Sequence, residues 1–511
     1  MTFFYSAALT LCGLVALQHI YQHVFATHPK KKVPGPPGRW LIGNIFDFVP
    51  DRIHEYFSDC HKQYGPFVRY KLGSMYLYAI ADPSLVRNIV HEQRKNFTLS
   101  RKFQCTFGHF FPNCLICVEG DKWKLGRRVV HSAITRMRAY KWLPEVTSSM
   151  RLRVDPFLEK AAREQFAAGD AEVVEGFVDL RDMSVNIENA LGFGLFEAFL
   201  RFGYGVDASV TDESTRIRLY NNTKTIAEAL NVRSFQPSKL FWYLPTAFNR
   251  RVSRAHAEIM HFVRGIVSSR MAEISADIGC ARDNLVDQMI LASMEEKMET
   301  GDVEDNLGML LFAAFDTTTA TLSTCLQLIS RHPHAQTELR NQFTAWKQGG
   351  ADVESLQVDV PYLDWCIKES QRLYPVAFAF GRTSTVPVTV DGYEIPAESS
   401  FTFQTKVMGS NAKEWNFTDE VEDPMQFRPE RWADESMRSR VVANYVFNPF
   451  GAGGRMCPGM KLAQSELRMV AATILTKFVL KPSEYHDMDF KVTLTLGPRD
   501  GAWFKVKAVD K

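Results

Sequence analysis

The fold of this chain is decided by one stretch near its C-terminus, Phe450-Gly451-Ala452-Gly453-Gly454-Arg455-Met456-Cys457-Pro458-Gly459. Its glycines let backbone N–H groups approach the sulfur of Cys457 and stabilise a negative charge there. A helix predicted from Lys461 to Lys477 starts just after the cysteine, and the positive end of its dipole also favours the thiolate. The stretch therefore predicts a constrained, charged cysteine.

Such a thiolate suits the iron of a haem. That ligand needs a sulfur in a constrained loop, N–H donors around it, and a cation near the anionic propionates of the porphyrin. The segment from 450 to 459 supplies all three, with Arg455 as the cation. The alternative is a glycine-rich turn with a free buried cysteine. That alternative would be preferred for an isolated cysteine, but the whole ten-residue pattern argues against it.

The stretch resembles the signature of the cytochrome P-450 family, F-x-x-G-x-R-x-C-x-G. Each fixed position is matched, by Phe450, Gly453, Arg455, Cys457 and Gly459. The resemblance implies a mainly α member of the α+β class, with small β-sheets. It also implies that haem b is bound, with Cys457 as the axial ligand of the iron. Contacts to the haem are expected from the neighbouring loop residues Phe450, Gly451 and Gly459.

Two upstream motifs extend the resemblance. The family carries E-x-x-R on a helix, and here Glu369 and Arg372 stand three residues apart, on one helix face. The later P-E-R segment of the family is matched by residues 429–431, with Trp432 where phenylalanine is commoner. The resemblance implies that Arg431 joins Glu369 and Arg372 in a structural cluster behind the haem.

A long helix predicted from Asp302 to Arg331 carries the next motif. Midway it contains Ala313, Ala314, Asp316 and Thr317, where the family has a small residue followed by an acid and a threonine. Small side chains at Ala313 and Ala314 leave room for dioxygen, although Ala314 replaces the usual glycine. The resemblance implies that Asp316 and Thr317 supply the protons that dioxygen cleavage consumes. A threonine bonded to a carbonyl one turn earlier is the simpler reading, and both can hold.

The porphyrin propionates need cations, and three arginines are candidates. Trp123 and Arg127 match the W-x-x-x-R of the propionate-binding helix in the family, and Arg382 occupies another propionate position. With Arg455, they would provide three positive charges for two carboxylates. For any single arginine, a solvated surface charge would be the preferred reading.

Three segments resemble the pocket-lining regions of the family. They are mostly apolar and aromatic, which is typical of a pocket that selects by shape. The predicted pocket residues are Phe107, Phe110, Phe111, Val376, Phe378, Phe380 and Leu496. Together with the membrane anchor predicted at the N-terminus, they favour a lipophilic substrate from the membrane, sterol-like or another lipid. Core packing would explain many of these side chains equally well.

The N-terminus predicts a membrane anchor over residues 1–27. Its apolar run is long enough to span a bilayer, and Lys30 to Lys32 follow it, which favours a cytosolic catalytic domain. A cleaved signal peptide or a buried helix are the alternatives. We expect a basic, proline-rich hinge over residues 28–39, a catalytic domain over 40–511, and a single-pass location in the endoplasmic reticulum membrane.

Charge and cysteine content limit the partners. A net charge of +2 gives no reason to expect a nucleic acid. The basic side of the helix predicted from Asp121 to Tyr140 resembles the family's docking face for NADPH–cytochrome P450 reductase, with cytochrome b5 as a second candidate partner. A plain solvated face is equally compatible with it. The nine cysteines lack a disulfide framework, and the lone pair Cys114 and Cys117 does not predict a zinc site.

The coarse pattern places smaller elements around these motifs. It predicts a hairpin over Phe67 to Ile80, a loop over Phe103 to Phe111, strands from Pro387 to Phe403, and a final hairpin over Lys491 to Val506 that turns near Gly497-Pro498 and Asp500-Gly501.

The resemblance predicts a haem-thiolate monooxygenase that takes electrons from NADPH through the reductase. One alternative is a haem-thiolate isomerase or dehydratase acting on a lipid hydroperoxide. Such enzymes tend to lose the acid–threonine pair that this chain keeps. The other is a non-catalytic haem-binding protein, which needs no proton relay.

Overall fold

The computed structural model describes residues 32–136, 142–163, 178–179, 181–206, 211–236, 238–350, 355–415 and 423–509. The predicted anchor lies outside these residues. The α-helices are Ile53–Tyr64, Pro83–Arg87, Arg101–Phe107, Gly120–Arg136, Leu143–Arg153, Asp155–Ala162, Glu188–Tyr204, Glu213–Phe235, Leu240–Tyr243, Ala247–Ala276, Leu285–Glu296, Thr300–Arg331, Pro333–Gln348, Leu356–Asp359, Pro361–Leu373, Thr405–Gly409, Ala412–Trp415, Glu435–Ala443 and Met460–Leu475. The strands are Phe67–Leu72, Met75–Ile80, Phe97–Leu99, Val178–Asp179, Ser184–Asn186, Phe380–Ser384, Val388–Val390, Tyr393–Ile395, Ser400–Phe403, Phe478–Pro482, Phe490–Thr493, Thr495–Pro498 and Trp503–Ala508. The predicted class, mainly α with small sheets, is confirmed.

The helix Thr300–Arg331, here called the central helix, organises the core. Its apolar side chains point in all directions, and such a helix is stable only when it is buried. Among the described residues it is the one helix long and apolar enough to cross a membrane, but 72% of its most apolar window is buried within the protein. It packs against the helices Glu188–Tyr204, Pro361–Leu373 and Met460–Leu475. The predicted oxygen, E-x-x-R and cysteine motifs therefore converge on one core.

A five-stranded sheet holds one of the predicted haem arginines. Phe67–Leu72 and Met75–Ile80 form the predicted hairpin, and Met75–Ile80 runs parallel to Ser400–Phe403. Phe380–Ser384 pairs antiparallel with Ser400–Phe403, so that Arg382 lies opposite Phe401 within the sheet. Backbone pairing on both sides of this strand fixes Arg382 in place.

Two local predictions were wrong. The segment predicted as a loop over Phe103 to Phe111 begins with the helix Arg101–Phe107, because its aromatic face packs against Phe312 of the central helix. The final hairpin turns at Leu494, between Phe490–Thr493 and Thr495–Pro498, and Trp503–Ala508 instead joins Phe478–Pro482. Leu494 has a φ of 79°, so the turn uses a leucine in the left-handed region, and the neighbouring Gly-Pro pair lies within a strand.

The described part of the predicted hinge lies against the sheet. Val33 is buried, and the carbonyl of Pro34 accepts a hydrogen bond of 2.8 Å from the backbone N–H of Arg69. A Cβ at Gly35 would lie only 2.0 Å from the carbonyl oxygen of Arg69, so glycine is required for this close approach. The chain is therefore held to the sheet edge from Val33 onward.

Candidate functional site

The loop that carries Cys457 is shaped by two glycines in the left-handed region. Gly451 and Gly453 have φ values of 76° and 72°, and a Cβ at Gly453 would lie 3.0 Å from the carbonyl oxygen of Val90. The backbone N–H of Cys457 donates to the carbonyl of Phe450 at 3.0 Å, which closes the loop. The helix Met460–Leu475 begins three residues after the cysteine. Its N-terminal dipole therefore acts near the sulfur, as the sequence predicts.

Cys457 is the exposed one among the described cysteines, which are all free. Protein atoms nevertheless surround its sulfur, and this burial raises the pKa of the thiol. The backbone N–H of Gly459 and the charge of Arg127 act in the opposite direction and lower that pKa. Cys457 thus combines an exposed residue surface with a sulfur that has many protein neighbours.

Three arginines surround this loop, and all of them donate to backbone carbonyls. Arg127 Nη1 donates to Met456 at 2.8 Å, and Arg382 Nη2 donates to Ala452 at 3.3 Å. Arg455 donates to Leu115 and Val118 at 3.1 and 3.0 Å. Its guanidinium carbon also lies 4.2 Å from the ring centroid of Trp123. The structure thus brings the four predicted propionate residues to the cysteine loop.

The same three arginines lack a negative partner. None of Arg127, Arg382 and Arg455 forms an ion pair with a carboxylate in the described part of the chain. Burial lowers the pKa of Arg382 and of Arg455 to about 10. At Arg455 the charge of Glu119 opposes this shift, whereas the charges of Arg382 and Arg127 add to it. Buried like charges are costly unless an anion accompanies them. The residues present therefore fit a dianionic group such as a porphyrin with two propionates.

Comparison with known proteins agrees with this geometry. The family model for cytochrome P450 matches residues 33–501. The chain belongs to the cytochrome P450 family.

Relatives of this cytochrome P450 are distant but span nearly the whole chain. It is 24% identical to human cytochrome P450 3A5, over 94% of this chain and 92% of that protein. It is 25% identical to cytochrome P450 monooxygenase 219 of Postia placenta, over 88% of each chain. It is also 25% identical to the mitochondrial 1,25-dihydroxyvitamin D(3) 24-hydroxylase of Rattus norvegicus, over 87% of this chain and 83% of that protein. The protein is thus an oxygen-incorporating haem-thiolate oxidoreductase, and haem b is its cofactor.

The central helix of this cytochrome P450 holds the predicted proton-delivery residues. Thr317 Oγ1 donates to the carbonyl of Ala313 at 3.1 Å, the bond that the simpler sequence reading expects. Asp316 accepts a hydrogen bond of 3.1 Å from Thr495, which lies in the strand Thr495–Pro498. Burial raises the pKa of Asp316. Burial thus favours the protonated form of Asp316, which is the form that can donate a proton.

Sequence reasoning missed Glu188 and Thr495 near this acid. Glu188 opens the helix Glu188–Tyr204, and burial raises its pKa to about 7, with Asp316 acting in the same direction. Thr495 could have been found, because it adjoins the predicted pocket residue Leu496. Glu188 carries no local signal, since only the packing of its helix brings it near Asp316.

The predicted pocket residues fall into separate groups. Phe107 packs on Phe312 with ring centroids 6.5 Å apart, and Phe111 lies against Gly308, where a Cβ would come within 2.7 Å of its ring. The backbone N–H of Leu496 donates to the carbonyl of Val376 at 2.9 Å. The remaining ones contact other aromatic rings: Phe110 contacts His256, Phe378 contacts His54 and Phe380 contacts Phe403. Phe107 and Phe111 thus line the central helix, Phe380 packs within the five-stranded sheet, and Phe378 packs against the helix Ile53–Tyr64.

In the E-x-x-R cluster, Arg372 and Arg431 both donate to the carboxylate of Glu369. Glu369 is fully buried and accepts from Arg372 at 2.7 and 2.8 Å and from Arg431 at 2.9 Å. The indole N–H of Trp432 and the backbone N–H of Arg428 add bonds of 2.9 and 3.0 Å. Burial opposes the charge, but these donors outweigh it, so the pKa of Glu369 lies below its ordinary value. Tryptophan at 432 thus supplies a hydrogen bond that phenylalanine could not.

The predicted basic docking face is partly neutralised within the chain. Lys122 pairs with Asp302 at 2.9 Å, Lys124 with Asp121 at 2.8 Å, and Arg128 with Glu296 at 2.9 Å. Arg138 and the side chain of Arg136 lie outside the described residues. Each basic residue of these pairs remains exposed, and such surface pairs contribute only about 0–1 kcal/mol, so a partner can replace them.

Proposed function

We propose that Cys457 is the axial ligand of the haem iron and that the enzyme inserts one oxygen atom from O2 into a lipophilic substrate. The observation that supports this most directly is the exposed Cys457 in a glycine loop bordered by three arginines, of which Arg382 is buried and none forms an ion pair with a carboxylate of the described residues. When bound, the haem supplies the iron that activates dioxygen. Trp123, Arg127, Arg382 and Arg455 hold the propionates, and Phe450, Gly451, Gly459 and Ala313 line the ring.

Proton delivery is assigned to the central helix. Thr317 holds a proton at Oγ1, and its bond to Ala313 is a local one that can open for a water molecule. Asp316 holds the next proton, and burial favours its neutral form. This pair favours a monooxygenase over a haem-thiolate isomerase or a non-catalytic haem protein, because neither of those consumes protons from a relay.

The ligand assignment is tested by the spectrum of the reduced, carbon-monoxide-bound protein. We expect a Soret band at the thiolate position, and its loss in Cys457→Ala, because Cys457 is the cysteine of the glycine loop. Cys280→Ala is the matched control and should keep the band, since Cys280 is half-buried and lies outside that loop. A histidine-type band in the wild type would overturn the assignment.

The relay is tested by the coupling of NADPH oxidation to product. In Thr317→Ala, NADPH oxidation should yield mainly peroxide in place of product. We expect roughly a 10²-fold or greater loss of product, as for a lost proton donor. Thr324→Ala is the matched control, because Thr324 makes the same bond to a carbonyl one turn earlier, at 2.8 Å from Ala320. Unchanged coupling in Thr317→Ala removes that residue from its role.

The proposed substrate is a membrane-partitioned lipid, and the enzyme is proposed to reside in the endoplasmic reticulum membrane through residues 1–27. In support, Leu240, Phe241, Tyr243 and Leu244 form an exposed apolar surface, here called the aromatic patch, which suits a bilayer interface. One relative is mitochondrial by its name, so the location needs its own test. Recovery of the full chain with microsomal membranes supports the proposal, and recovery with mitochondria contradicts it.

Electrons are proposed to come from NADPH through cytochrome P450 reductase, with cytochrome b5 as a possible second donor. The docking face is the helix Gly120–Arg136, whose exposed cations border the haem site. Because charge pairs of this kind mainly speed association, the reduction rate should fall as ionic strength rises. A rate independent of salt would contradict docking on this face.

A further inference from the structure

Arg233 is a buried cation with two donor nitrogens that have no partner within the described ranges. It lies near the end of the helix Glu213–Phe235 with only 1% of its surface exposed. Its Nε and Nη1 atoms have no hydrogen-bond partner, and it forms no ion pair with a carboxylate of the described chain. A buried guanidinium is normally paired, because loss of its hydration is costly.

Two aromatic rings cover Arg233 without satisfying its N–H groups. Its guanidinium carbon lies 4.8 Å from the ring centroid of Phe110 and 5.3 Å from that of Trp242. Ring faces stabilise the positive charge, but they accept hydrogen bonds only weakly. The indole N–H of Trp242 is itself buried and unpartnered. Three donor nitrogens, two of Arg233 and one of Trp242, are therefore buried close together without an acceptor among the described residues.

In the part of the chain that the structure describes, no carboxylate forms an ion pair with Arg233, and its neighbours include further basic groups. The ring of His109 lies 5.4 Å from that of Trp242, and burial together with the charge of Arg233 lowers the pKa of His109 to about 4. Lys102 Nζ donates to the carbonyl of Gln236 at 2.6 Å. Burial lowers the pKa of Arg233, against the phenol of Tyr243, which favours the charged form. The local field is therefore positive, as at the site of an anionic ligand.

The position of Arg233 connects the aromatic patch with the pocket. On one side, Trp242 is buried beneath the exposed Phe241 and Tyr243. On the other, Phe110 is a predicted pocket residue and packs beside Phe111, which lies against the central helix. A ligand bound here would lie between the surface proposed to face the bilayer and the helix proposed to deliver protons.

We propose that Arg233 and the indole N–H of Trp242 bind the carboxylate of an amphiphilic lipid acid. A guanidinium offers parallel N–H groups that match the two oxygens of a carboxylate, and the aromatic walls suit an apolar body. This inference rests on the proposed function and narrows its substrate class from lipids in general to lipid carboxylic acids. Arg233 is thereby a specificity residue that contacts the substrate.

The test is calorimetric titration of the holoenzyme with three matched pairs: palmitic acid, retinoic acid and cholic acid, each beside its methyl ester. We expect at least one acid to bind about tenfold more tightly than its ester, as one charge-assisted contact predicts. Arg233→Gln should reduce that ratio to less than about threefold while leaving ester binding unchanged. Arg250→Gln, which removes an exposed arginine beside the aromatic patch, is the control and should retain the ratio.

The remaining outcomes are equally decisive. If no acid exceeds its ester, or if Arg233→Gln weakens acid and ester alike, the inference is overturned. If Arg233→Gln does not fold, Trp242→Phe serves as the second variant. It keeps an aromatic ring but removes the indole N–H, and it should weaken binding of the acid, but not of the ester, by about threefold to tenfold. The reduced carbon-monoxide spectrum is recorded for every variant. A missing thiolate band in the wild type defeats the proposed function, whereas an intact band with equal acid and ester binding defeats this inference alone.

Discussion

This cytochrome P450 has two arginine clusters, and they differ in the source of their negative charge. In the first, Arg372 and Arg431 surround Glu369, which is fully buried and accepts five hydrogen bonds from four residues. In the second, Arg127, Arg382 and Arg455 donate to carbonyls and meet no carboxylate of the described chain.

The difference distinguishes arginines that stabilise the fold from arginines that are expected to bind an anionic ligand. Where the chain provides the anion, the ion pair belongs to the folded protein and its loss is felt as instability. Where the chain provides cations alone, the missing anion belongs to another molecule, and loss of a cation is felt as weaker binding. Arg233 belongs to the second kind, with an organic acid in place of the cofactor.

The largest effect is expected from Glu369→Gln. This change leaves Arg372 buried without its counter-charge, and breaking a buried pair costs about 3–5 kcal/mol. Urea unfolding should show that loss in apparent free energy, whether or not haem is bound. Glu394→Gln changes an exposed glutamate and should cost less than about 0.5 kcal/mol. Equal stability of the two variants would break the comparison.

Arg455→Met should act on the cofactor rather than on the fold. Loss of one charge-assisted contact to a propionate is worth about 1.5–3 kcal/mol, or roughly tenfold to 100-fold in haem affinity. Haem transfer to apomyoglobin measures this, while urea unfolding of the apoprotein should change by less than about 1 kcal/mol. Arg94→Met, near the molecular surface, is the control. A large loss of apoprotein stability would place Arg455 with the structural cluster.

The substitution Glu466→Gln tests a second buried carboxyl, for comparison with Glu369. Glu466 accepts one bond, from Thr318 at 3.3 Å, and burial raises its pKa to about 8. Its folded pKa is above its unfolded value, so the native state binds more protons between pH 4.5 and 8, and stability falls as pH rises through that window. Between pH 6 and 8, the wild type should lose about 2 kcal/mol relative to Glu466→Gln. Parallel pH profiles in urea unfolding would contradict this.

The smallest effect is expected from Trp432→Phe. It removes the indole donor to Glu369 and keeps most of the ring, so it should cost about 1–1.5 kcal/mol. Thermal unfolding of both proteins at one pH measures the difference. Trp365→Phe should cost less, because the indole N–H of Trp365 has no hydrogen-bond acceptor among the described residues. A larger loss at Trp365 would show that ring volume, not the donor, matters at position 432.

The motifs could be found in the sequence because each depends on short-range spacing. The glycines around Cys457, the interval between Glu369 and Arg372, and the turn between Trp123 and Arg127 are fixed by local backbone geometry. The helices that carry them follow from their apolar patterning. The family model spans residues 33–501, which agrees with the α+β prediction made from those motifs.

The errors have a common cause in long-range packing. The helix Arg101–Phe107 forms where composition predicts a loop, because Phe107 finds a partner on Phe312, more than 200 positions away. The turn at Leu494 has no glycine or proline signal. The ion pairs of Lys122 and Arg128 likewise join residues far apart in sequence, so the free charge of the docking face could not be counted in advance.

The sequence by itself determined the family, the haem and the identity of the cysteine expected to bind its iron, because a thiolate loop must be encoded in consecutive residues. The tertiary structure decided which charges have partners. Arg233 and Arg372 are both buried arginines on helices, and nothing in their local sequence distinguishes them. Only the folded chain brings Glu369 to one of them and leaves the other facing aromatic rings, because pairing depends on neighbours that the chain delivers from elsewhere.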